Sequence, residues 1–148
     1  MNSRLSRLSE RKLLVISCTS TKMNLPNAPA LEVYDGPTFR TLRKHISPKV
    51  KVLIISAKYG IINSSSRISP YDMRMSKKRA LELRDQVSRR LNEVLKQGTF
   101  REVFLELGRD YMNAVDIQPM IYSKINFTFD KGTIGIRLHN LKTWLEQE

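Results

Sequence analysis

Reactive and polar side chains are concentrated at three places in the sequence, each directly after an apolar run. The segments are SCTSTK at residues 17–22, SAKYG at residues 56–60 and LGRDY at residues 107–111. Hydroxyl and backbone N–H groups can hold a phosphate or the edge of a base, and a lysine can neutralise a phosphate as a point charge. We therefore treat the three segments as parts of one candidate binding site.

The first segment contains the single cysteine, for which two interpretations stand. Cys18 could be a nucleophile if Lys22 or Lys58 stabilises its thiolate. Alternatively, Cys18 packs as a small apolar side chain, because no histidine lies near it in the sequence. The segment is not a phosphate-binding P-loop, since the glycines of that motif are missing.

The second segment ends an apolar run with Lys58, Tyr59 and Gly60. A lysine that is partly desolvated at a strand end can serve as a nucleophile or a base, or it can hold a phosphate. The alternative is a lysine that extends from the sheet edge into solvent. The polar stretch that follows, INSSSRIS at residues 62–69, predicts a flexible flap that could order on a ligand.

A Pro-Tyr-Asp sequence then stiffens the chain. Tyr71 could stack on a base. Asp72 could accept from a base edge or act as a general base, or it could be a turn or N-cap aspartate. Near the C-terminus, Gly135 and Arg137 fall at a helix start, where N–H groups bind anions, although close helix packing explains the glycine nearly as well.

These residues predict a site with catalytic and substrate-binding members. The catalytic residues predicted are Lys58, Asp72 and Cys18. The substrate-binding residues predicted from the segments are Ser17, Ser20, Lys22, Ser56, Tyr59, Gly60, Tyr71, Gly108, Tyr111, Gly135 and Arg137. Two histidines in helical patterns and one cysteine do not suit a zinc site, so the sequence predicts no metal and no cofactor.

The apolar runs before these segments read as buried strands. KLLVIS at residues 12–17 and KVLIIS at residues 51–56 are nearly continuous, as expected for strands covered on both faces. REVFLEL at residues 101–107 alternates partly, which predicts a position nearer an edge of the sheet, and KINFTFD at residues 124–130 could be a fourth strand. Because the carboxyl ends of parallel strands bind ligands in α/β sheets, the three polar segments should meet at one edge.

Helical patterns alternate with these strands. Pro37 begins one at residues 37–46, and Ser76 and Gly98 are the predicted N-cap and stop of the longest. A third covers residues 134–148. The sequence therefore predicts an α/β fold, a single three-layer α/β/α domain with a mostly parallel central sheet at residues 12–148, preceded by a basic N-terminal segment at residues 1–11.

The charge is uneven along the 148-residue chain, whose net charge is +12. Residues 1–100 carry a net charge of +13 and residues 101–148 a net charge of −1. A field of this sign attracts polyanions, so we expect nucleic acid or a nucleotide as partner, although a basic protein without such a partner is the plainer alternative. The residues predicted to contact nucleic acid, unless they form only a solvated face, are Arg67, Arg74, Lys77, Lys78, Arg84, Arg89 and Arg90.

Several classes are disfavoured by composition. A single cysteine excludes an internal disulfide and suits a reducing compartment. No apolar run approaches the ~18 residues of a membrane span, and the run LLVI is too short for a signal peptide. We therefore expect a cytoplasmic protein with no membrane partner.

Four motifs in order resemble a small, largely uncharacterised prokaryotic domain family. Cys18 and Lys22 match its strand-ending Cys-x-x-x-Lys, and Tyr34 and Gly36 match its Tyr-x-Gly. SAKYG matches its Ser-Ala-Lys-His/Tyr-Gly-Leu, with Ile61 where leucine is usual, and residues 70–72 match its Pro-Tyr-Asp. The resemblance covers nearly the whole chain, and it implies that Tyr34 belongs to the substrate-binding residues.

More distantly, a strand end of the Cys-Ser-x-x-Lys type resembles the core domain of archaeosine synthase, which modifies a deazaguanine base in transfer RNA. That domain is similar in fold to uracil-DNA glycosylases. The resemblance implies α/β/α layers and work on a nucleobase or nucleotide. We thus predict an enzyme that acts on a nucleotide, or a nucleobase within nucleic acid, by glycosidic-bond or base-modifying chemistry. The alternative is a non-catalytic nucleic-acid-binding or accessory module that uses the basic helix at residues 76–97.

Overall fold

The computed structural model describes residues 10–130 and 132–147, and within them the chain forms one central five-stranded sheet. The strands lie in the order β4-β3-β1-β6-β7; β4 is antiparallel to β3, and the other pairs are parallel. A small antiparallel pair, β2 with β5, lies beside this sheet. The strands are β1 Lys12–Ser17, β2 Ala28–Pro29, β3 Val50–Ser56, β4 Gly60–Asn63, β5 Arg67–Ile68, β6 Glu102–Glu106 and β7 Asn126–Phe129.

Helices cover both faces of the sheet. The α-helices are α1 Ala30–Val33, α2 Pro37–His45, α3 Lys77–Gln97 and α4 Ile134–Glu146, with 3-10 turns at Tyr111–Ala114 and Pro119–Ile121. Side chains of α2 and α4 pack against one face of β1, and those of α3 pack against the other. This arrangement confirms the predicted α/β/α layers.

Local sequence explains where the long helices begin. The Ser76 hydroxyl accepts the Arg79 backbone N–H at 3.0 Å, so Ser76 is the N-cap of α3 as predicted. Pro37 occupies the first turn of α2, where a missing N–H costs nothing. Gly36 directly before it has φ +118°, a conformation that side-chain-bearing residues rarely adopt.

The core explains why β1 reads as an unbroken apolar run. Leu14 and Ile16 pack on the side of α2 and α4, whereas Leu13 and Val15 pack on the side of α3. All four are at most 1% exposed. Alternate side chains thus point into two separate cores, which is the pattern of a strand buried on both faces.

β6 lies one strand in from an edge of the sheet: it pairs with β1 on one side and with the edge strand β7 on the other, so it is nearer an edge than β1 and as near as β3. Glu106 at its end is buried. The expectation of a flap is corrected: the segment at residues 62–69 is not a free flap, because β4 extends the main sheet and β5 pairs with β2. Only a short turn between these two strands remains of the predicted flap.

Residues 1–9 of the predicted N-terminal segment lie outside the described residues. Within the part of the chain that is described, no helix is long and apolar enough to cross a membrane.

Candidate functional site

The carboxyl ends of β1, β3 and β6 meet at one edge of the sheet. β1 is flanked by β3 and β6 in parallel register, with Ser17 opposite Ile55 and Ile16 opposite Glu106. The chain passes from β1 to β3 on one side and then to β6 on the other. Ligands bind at such a switch point in open α/β sheets, so the topology favours this edge as the candidate site.

Five side chains at this edge form a hydrogen-bonded network, here called the hydroxyl cluster: Cys18, Tyr34, Ser56, Tyr71 and Tyr111. The Tyr34 hydroxyl lies 3.0 Å from Ser56 Oγ and 2.7 Å from the Tyr71 hydroxyl. Ser56 Oγ lies 2.8 Å from the Tyr71 hydroxyl and also accepts the backbone N–H groups of Lys58 and Tyr59. The cluster therefore joins the end of β3 to the Pro-Tyr-Asp motif.

The cysteine links this network to the segment after β6. Cys18 Sγ lies 3.0 Å from the Tyr111 hydroxyl and 3.6 Å from that of Tyr71. Ser17 Oγ accepts the Gly108 backbone N–H at 3.1 Å, which ties the same two chain segments together. All three predicted segments thus converge. Cys18 is buried in the core on the side of α2 and α4, and its sulfur also contacts the two tyrosine hydroxyls.

An ion-pair triad holds Tyr34 in position. Asp35 lies between Arg40 and Arg43 of α2, with ion-pair distances of 3.2 and 2.8 Å. Arg43 also donates to the Tyr34 carbonyl at 2.9 Å. Hydrogen bonds from Arg40 and then Arg43 hold the pKa of Asp35 well below its usual range. The triad positions the cluster without touching its hydroxyl groups.

Two lysine ammonium groups lie over the ring of Tyr71. Lys22 Nζ is 4.2 Å from the ring centroid and Lys58 Nζ is 5.7 Å from it. These are cation–π distances, so the two charges are held at the mouth of the cluster although they come from different strand ends. Tyr59 packs edge-on against the same ring, with centroids 5.4 Å apart.

Burial keeps the tyrosines of the cluster protonated. It raises the pKa of Tyr34 to about 12 and raises the pKa values of Tyr71 and Tyr111 further still. At neutral pH the cluster is therefore a set of neutral hydroxyl donors, which suits stabilisation of negative charge on a ligand.

A second group of polar side chains lies on the β6 side of β1. Glu106, at the end of β6, is 3% exposed and ion-paired with Arg137 of α4. Burial, with Asp130 next, raises the pKa of Glu106 to about 8. We call Glu106 and Asp130 the carboxyl pair; together with Cys18, Gly108 and Arg137, Glu106 lines a cavity of about 170 Å³.

Sequence reasoning missed Glu106, because apolar and polar side chains partly alternate along its strand. A glutamate in such a strand is expected to face solvent. The one available signal was its location at a strand end, two residues before Gly108. Arg137, predicted as an anion-binding residue at a helix start, instead contacts this buried carboxylate.

Other predicted residues lie around the cluster in different ways. Asp72 is exposed and makes no hydrogen bond or ion pair with another described residue. Ser20 is exposed, and its carbonyl accepts from Lys22. Gly60 has φ +76° and packs against Gln86 of α3, while Gly135 is exposed on α4 and does not line the cavity. The Tyr71 ring, predicted to stack on a base, is packed against two tyrosines and two lysines.

The predicted nucleic-acid-binding residues divide into two groups. Arg84 pairs with Asp116, and Arg90 pairs with Glu93, so their charges are partly neutralised. Arg67 donates to the Asn27 carbonyl. Exposed residues that make no ion pair with another described residue are Arg74, Lys77, Lys78 and Arg89.

The start of α3 lies beside the candidate site. Arg79 donates to the backbone carbonyls of Ala57 and Lys58, at 2.7 and 3.1 Å. Lys77 and Lys78 are therefore near the turn that carries Lys58, whereas Arg89 lies further along the helix. The basic surface nearest the cluster is the first turn of α3.

A larger groove of about 1040 Å³ lies at the opposite end of the sheet. Among the residues that the structure describes, its lining has the basic residues Arg11, Arg101 and Lys124 and no cysteine, histidine or carboxylate. The carboxyl edge brings a thiol and a buried carboxylate together, so it is the better candidate for chemistry. Across residues 10–130 and 132–147, no group of three or more His, Cys, Asp and Glu side chains could hold a metal ion.

Comparison with known proteins gives a family without an assigned activity. The model of DUF6884, a family of unknown function, matches residues 13–143. The crystal structure of AF0587, a protein of unknown function, is similar with a TM-score of 0.54 and 16% sequence identity. The similarity covers 98% of this chain and 49% of that one, so the chain spans about half the length of that structure, and it supports the fold alone. No curated protein matches the chain.

Proposed function

The chain belongs to DUF6884, a family of unknown function, and we propose that it is an enzyme that acts on a nucleotide or on a nucleobase within nucleic acid. The observation that carries the proposal is the hydroxyl cluster at the carboxyl ends of β1 and β3, with Lys22 and Lys58 over the ring of Tyr71. It combines neutral donors, a thiol and two cations in one place.

The cations suit a phosphate. Lys22 and Lys58 reach the same ring from two strand ends, and the first turn of α3 adds Lys77 and Lys78 nearby. The N-terminus of this 21-residue helix contributes its own partial positive charge. One phosphate of a nucleotide, or the backbone of a single strand, would find several positive groups within a short distance.

The neutral groups suit a base. Base edges present carbonyl oxygens and ring nitrogens, which accept hydrogen bonds from hydroxyl donors such as those of Tyr71 and Tyr111. Cys18 lies between these two hydroxyls and lines the adjoining cavity. In this proposal Cys18 contacts the base, Glu106 supplies acid or base chemistry from the cavity wall, and the lysines hold the phosphate.

The motif resemblance supports the same class of substrate. The strand end with Cys18 and Lys22 resembles that of the archaeosine synthase core domain, and the expected chemistry is glycosidic-bond or base-modifying. Asp72, predicted as a general base, is exposed beside Tyr71, so the proposal now assigns acid–base chemistry to Glu106 instead.

The test is binding of the four ribonucleoside monophosphates, the matching nucleosides and short single-stranded DNA and RNA, measured by calorimetry. Monophosphates should bind more tightly than nucleosides, and Lys22→Ala or Lys58→Ala should each weaken monophosphate binding roughly tenfold, or about 1.4 kcal/mol. Lys96→Ala, at the exposed far end of α3, is the matched control and should bind like the parent. Equal binding by all three variants, or no binding of any probe, would refute the proposal.

A second candidate is a non-catalytic module that binds nucleic acid through α3. It is favoured by the net charge of +13 in residues 1–100 and by the exposed Arg89. This candidate predicts that reversing Arg84, Arg89 and Arg90 to glutamate removes binding to single strands and its salt dependence. The enzyme proposal predicts that the same reversals leave monophosphate binding intact.

A further inference from the structure

Three buried polar atoms lie together on the β6 side of β1 without hydrogen-bond partners among the described residues. They are Glu106 Oε2, Asp130 Oδ2 and Arg137 Nε. The second oxygen of each carboxyl group has a partner: Glu106 Oε1 contacts Arg137, and Asp130 Oδ1 accepts from Asn140 at 3.1 Å. Buried carboxylate oxygens without a partner are costly, so the arrangement needs an explanation.

A single proton accounts for both unpaired oxygens. The parallel register that pairs Leu105 with Phe129 places Asp130 beside Glu106, and the Asp130 N–H donates to the Leu105 carbonyl at 3.2 Å. Two carboxylates this close and this buried do not both ionise readily, and a proton on one turns an acceptor into a donor for the other. Arg137 balances the one negative charge that remains.

We infer that Glu106 and Asp130 share one proton at neutral pH, and that Glu106 delivers it to a ligand in the cavity beside Cys18. The role of the proton rests on the proposed function; the shared proton itself does not. Glu106 is the member that lines this cavity, whereas Asp130 faces a neighbouring cavity of about 530 Å³. Glu106 is thus the proton donor and Asp130 its positioning residue.

The charges around the pair support a retained proton. Burial is the main cause that raises the pKa of Glu106 to about 8, Asp130 adds to it, and Arg137 opposes it. Among residues 10–130 and 132–147, the other titratable or charged groups that line the two cavities are Cys18, after β1, and Arg109, after β6. α2 contributes Thr38, which is uncharged.

The proton has a defined use in the proposed chemistry. In hydrolysis of a bond to a base, the proton moves from Glu106 to the base atom that keeps the bonding electrons. Water adds its oxygen to the other fragment and returns a proton to the carboxylate. The cavity of about 170 Å³ is smaller than the ~300 Å³ from which sites for drug-sized ligands begin, so it would admit a single small planar group.

The shared proton is tested by following the side-chain carboxyl carbons of the full chain by NMR as pH is raised. In the parent protein, the Glu106 signal should titrate near pH 8 and disappear in Glu106→Gln. Asp130→Asn, which keeps its size and can still accept from Asn140, should lower the Glu106 midpoint by about one unit or more. Glu102→Gln, at the other end of β6, is the matched control and should leave the midpoint unchanged.

Two results would overturn the shared proton: Glu106 ionised in the parent protein below pH ~6, or a midpoint that Asp130→Asn does not move. The role of the proton is read separately. If monophosphates bind and a base is released, Glu106→Gln should remove release while binding persists; release that survives this change would overturn the donor role. If the proton is found but no nucleotide binds, the proposed function fails and the donor role falls with it, while the proton pair stands.

Discussion

The hydroxyl cluster and the carboxyl pair flank the same end of β1, yet they differ in how completely their polar atoms are paired. Each hydroxyl of the cluster is within hydrogen-bonding distance of at least one other member. In the carboxyl pair, two buried oxygens have no hydrogen-bond partner in the described part of the chain. A network of neutral groups that hydrogen-bond to one another is held in one arrangement. A carboxyl pair whose oxygens are not all hydrogen-bonded can gain or lose a proton.

The difference implies a division of labour at the candidate site. The neutral side should hold a ligand in the same way across the physiological pH range, because the pKa of Tyr34, at about 12, is far above it. The charged side should respond to pH, because the pKa of Glu106 is about 8.

The largest effect should come from Arg137→Met, which removes the cation beside Glu106. Above the Glu106 pKa of about 8, the variant should lose ~3–5 kcal/mol of unfolding free energy, because a buried carboxylate is left uncompensated. Near pH 5 the loss should be smaller, since the carboxyl pair keeps its shared proton and carries one negative charge instead of two. Urea unfolding at both pH values measures the change in unfolding free energy, and Arg101→Met is the control. An equal loss at the two pH values would count against a carboxyl pair that holds a proton.

The second prediction concerns the sign of the pH dependence. The folded-state pKa of Glu106 is raised, so its stabilising contribution is full below the unfolded value of about 4.5 and is lost as pH rises through about 8. Relative to the Glu106→Gln variant, the parent protein should lose at most ~5 kcal/mol of unfolding free energy as pH rises across this window. Thermal unfolding as a function of pH measures this, with Glu102→Gln as control. Parallel curves for parent and variant would contradict it.

A smaller effect is expected on the neutral side. Tyr34→Phe removes one buried hydroxyl and should cost ~1–2 kcal/mol, because Ser56 and Tyr71 lose a partner. The cost should be the same at pH 5 and pH 8. Tyr59→Phe is the matched control, since the Tyr59 hydroxyl bonds to no other described residue. A cost for Tyr34→Phe that varies with pH would remove the distinction between the two sides.

The smallest effect on stability should come from Lys22→Met. The cation–π contact with Tyr71 contributes about 0.5–1 kcal/mol at a partly exposed site. Unfolding should therefore change little, whereas binding of a monophosphate should fall clearly. A stability loss as large as that of Tyr34→Phe would make Lys22 a structural residue of the cluster.

The fold was predictable because its main strands are continuous apolar runs. β1 and β3 carry Leu, Val and Ile on both faces, a pattern that requires helices on both sides of the sheet. The caps of α3 and the proline of α2 are local signals and were read from local sequence. β4 escaped prediction because it has only four residues, with two isoleucines between Gly60 and the polar stretch, and an edge strand needs no long apolar run.

The site was only partly predictable. The convergence of Cys18, Ser56 and Tyr111 followed from placing polar residues at parallel strand ends. The partners of each side chain did not follow, because they come from segments distant in sequence: Asp130 and Arg137 reach Glu106 from β7 and α4. A buried carboxylate at an alternating position looks the same in sequence as an exposed one.

The central claim is that the carboxyl edge around β1 binds a nucleotide. The most direct measurement is an NMR titration of backbone amides with a ribonucleoside monophosphate. The account predicts that the largest shifts fall at Cys18, Lys22, Lys58 and Gly108. Shifts confined to the α3 face around Arg89, or to the groove near Arg11 and Lys124, would contradict it.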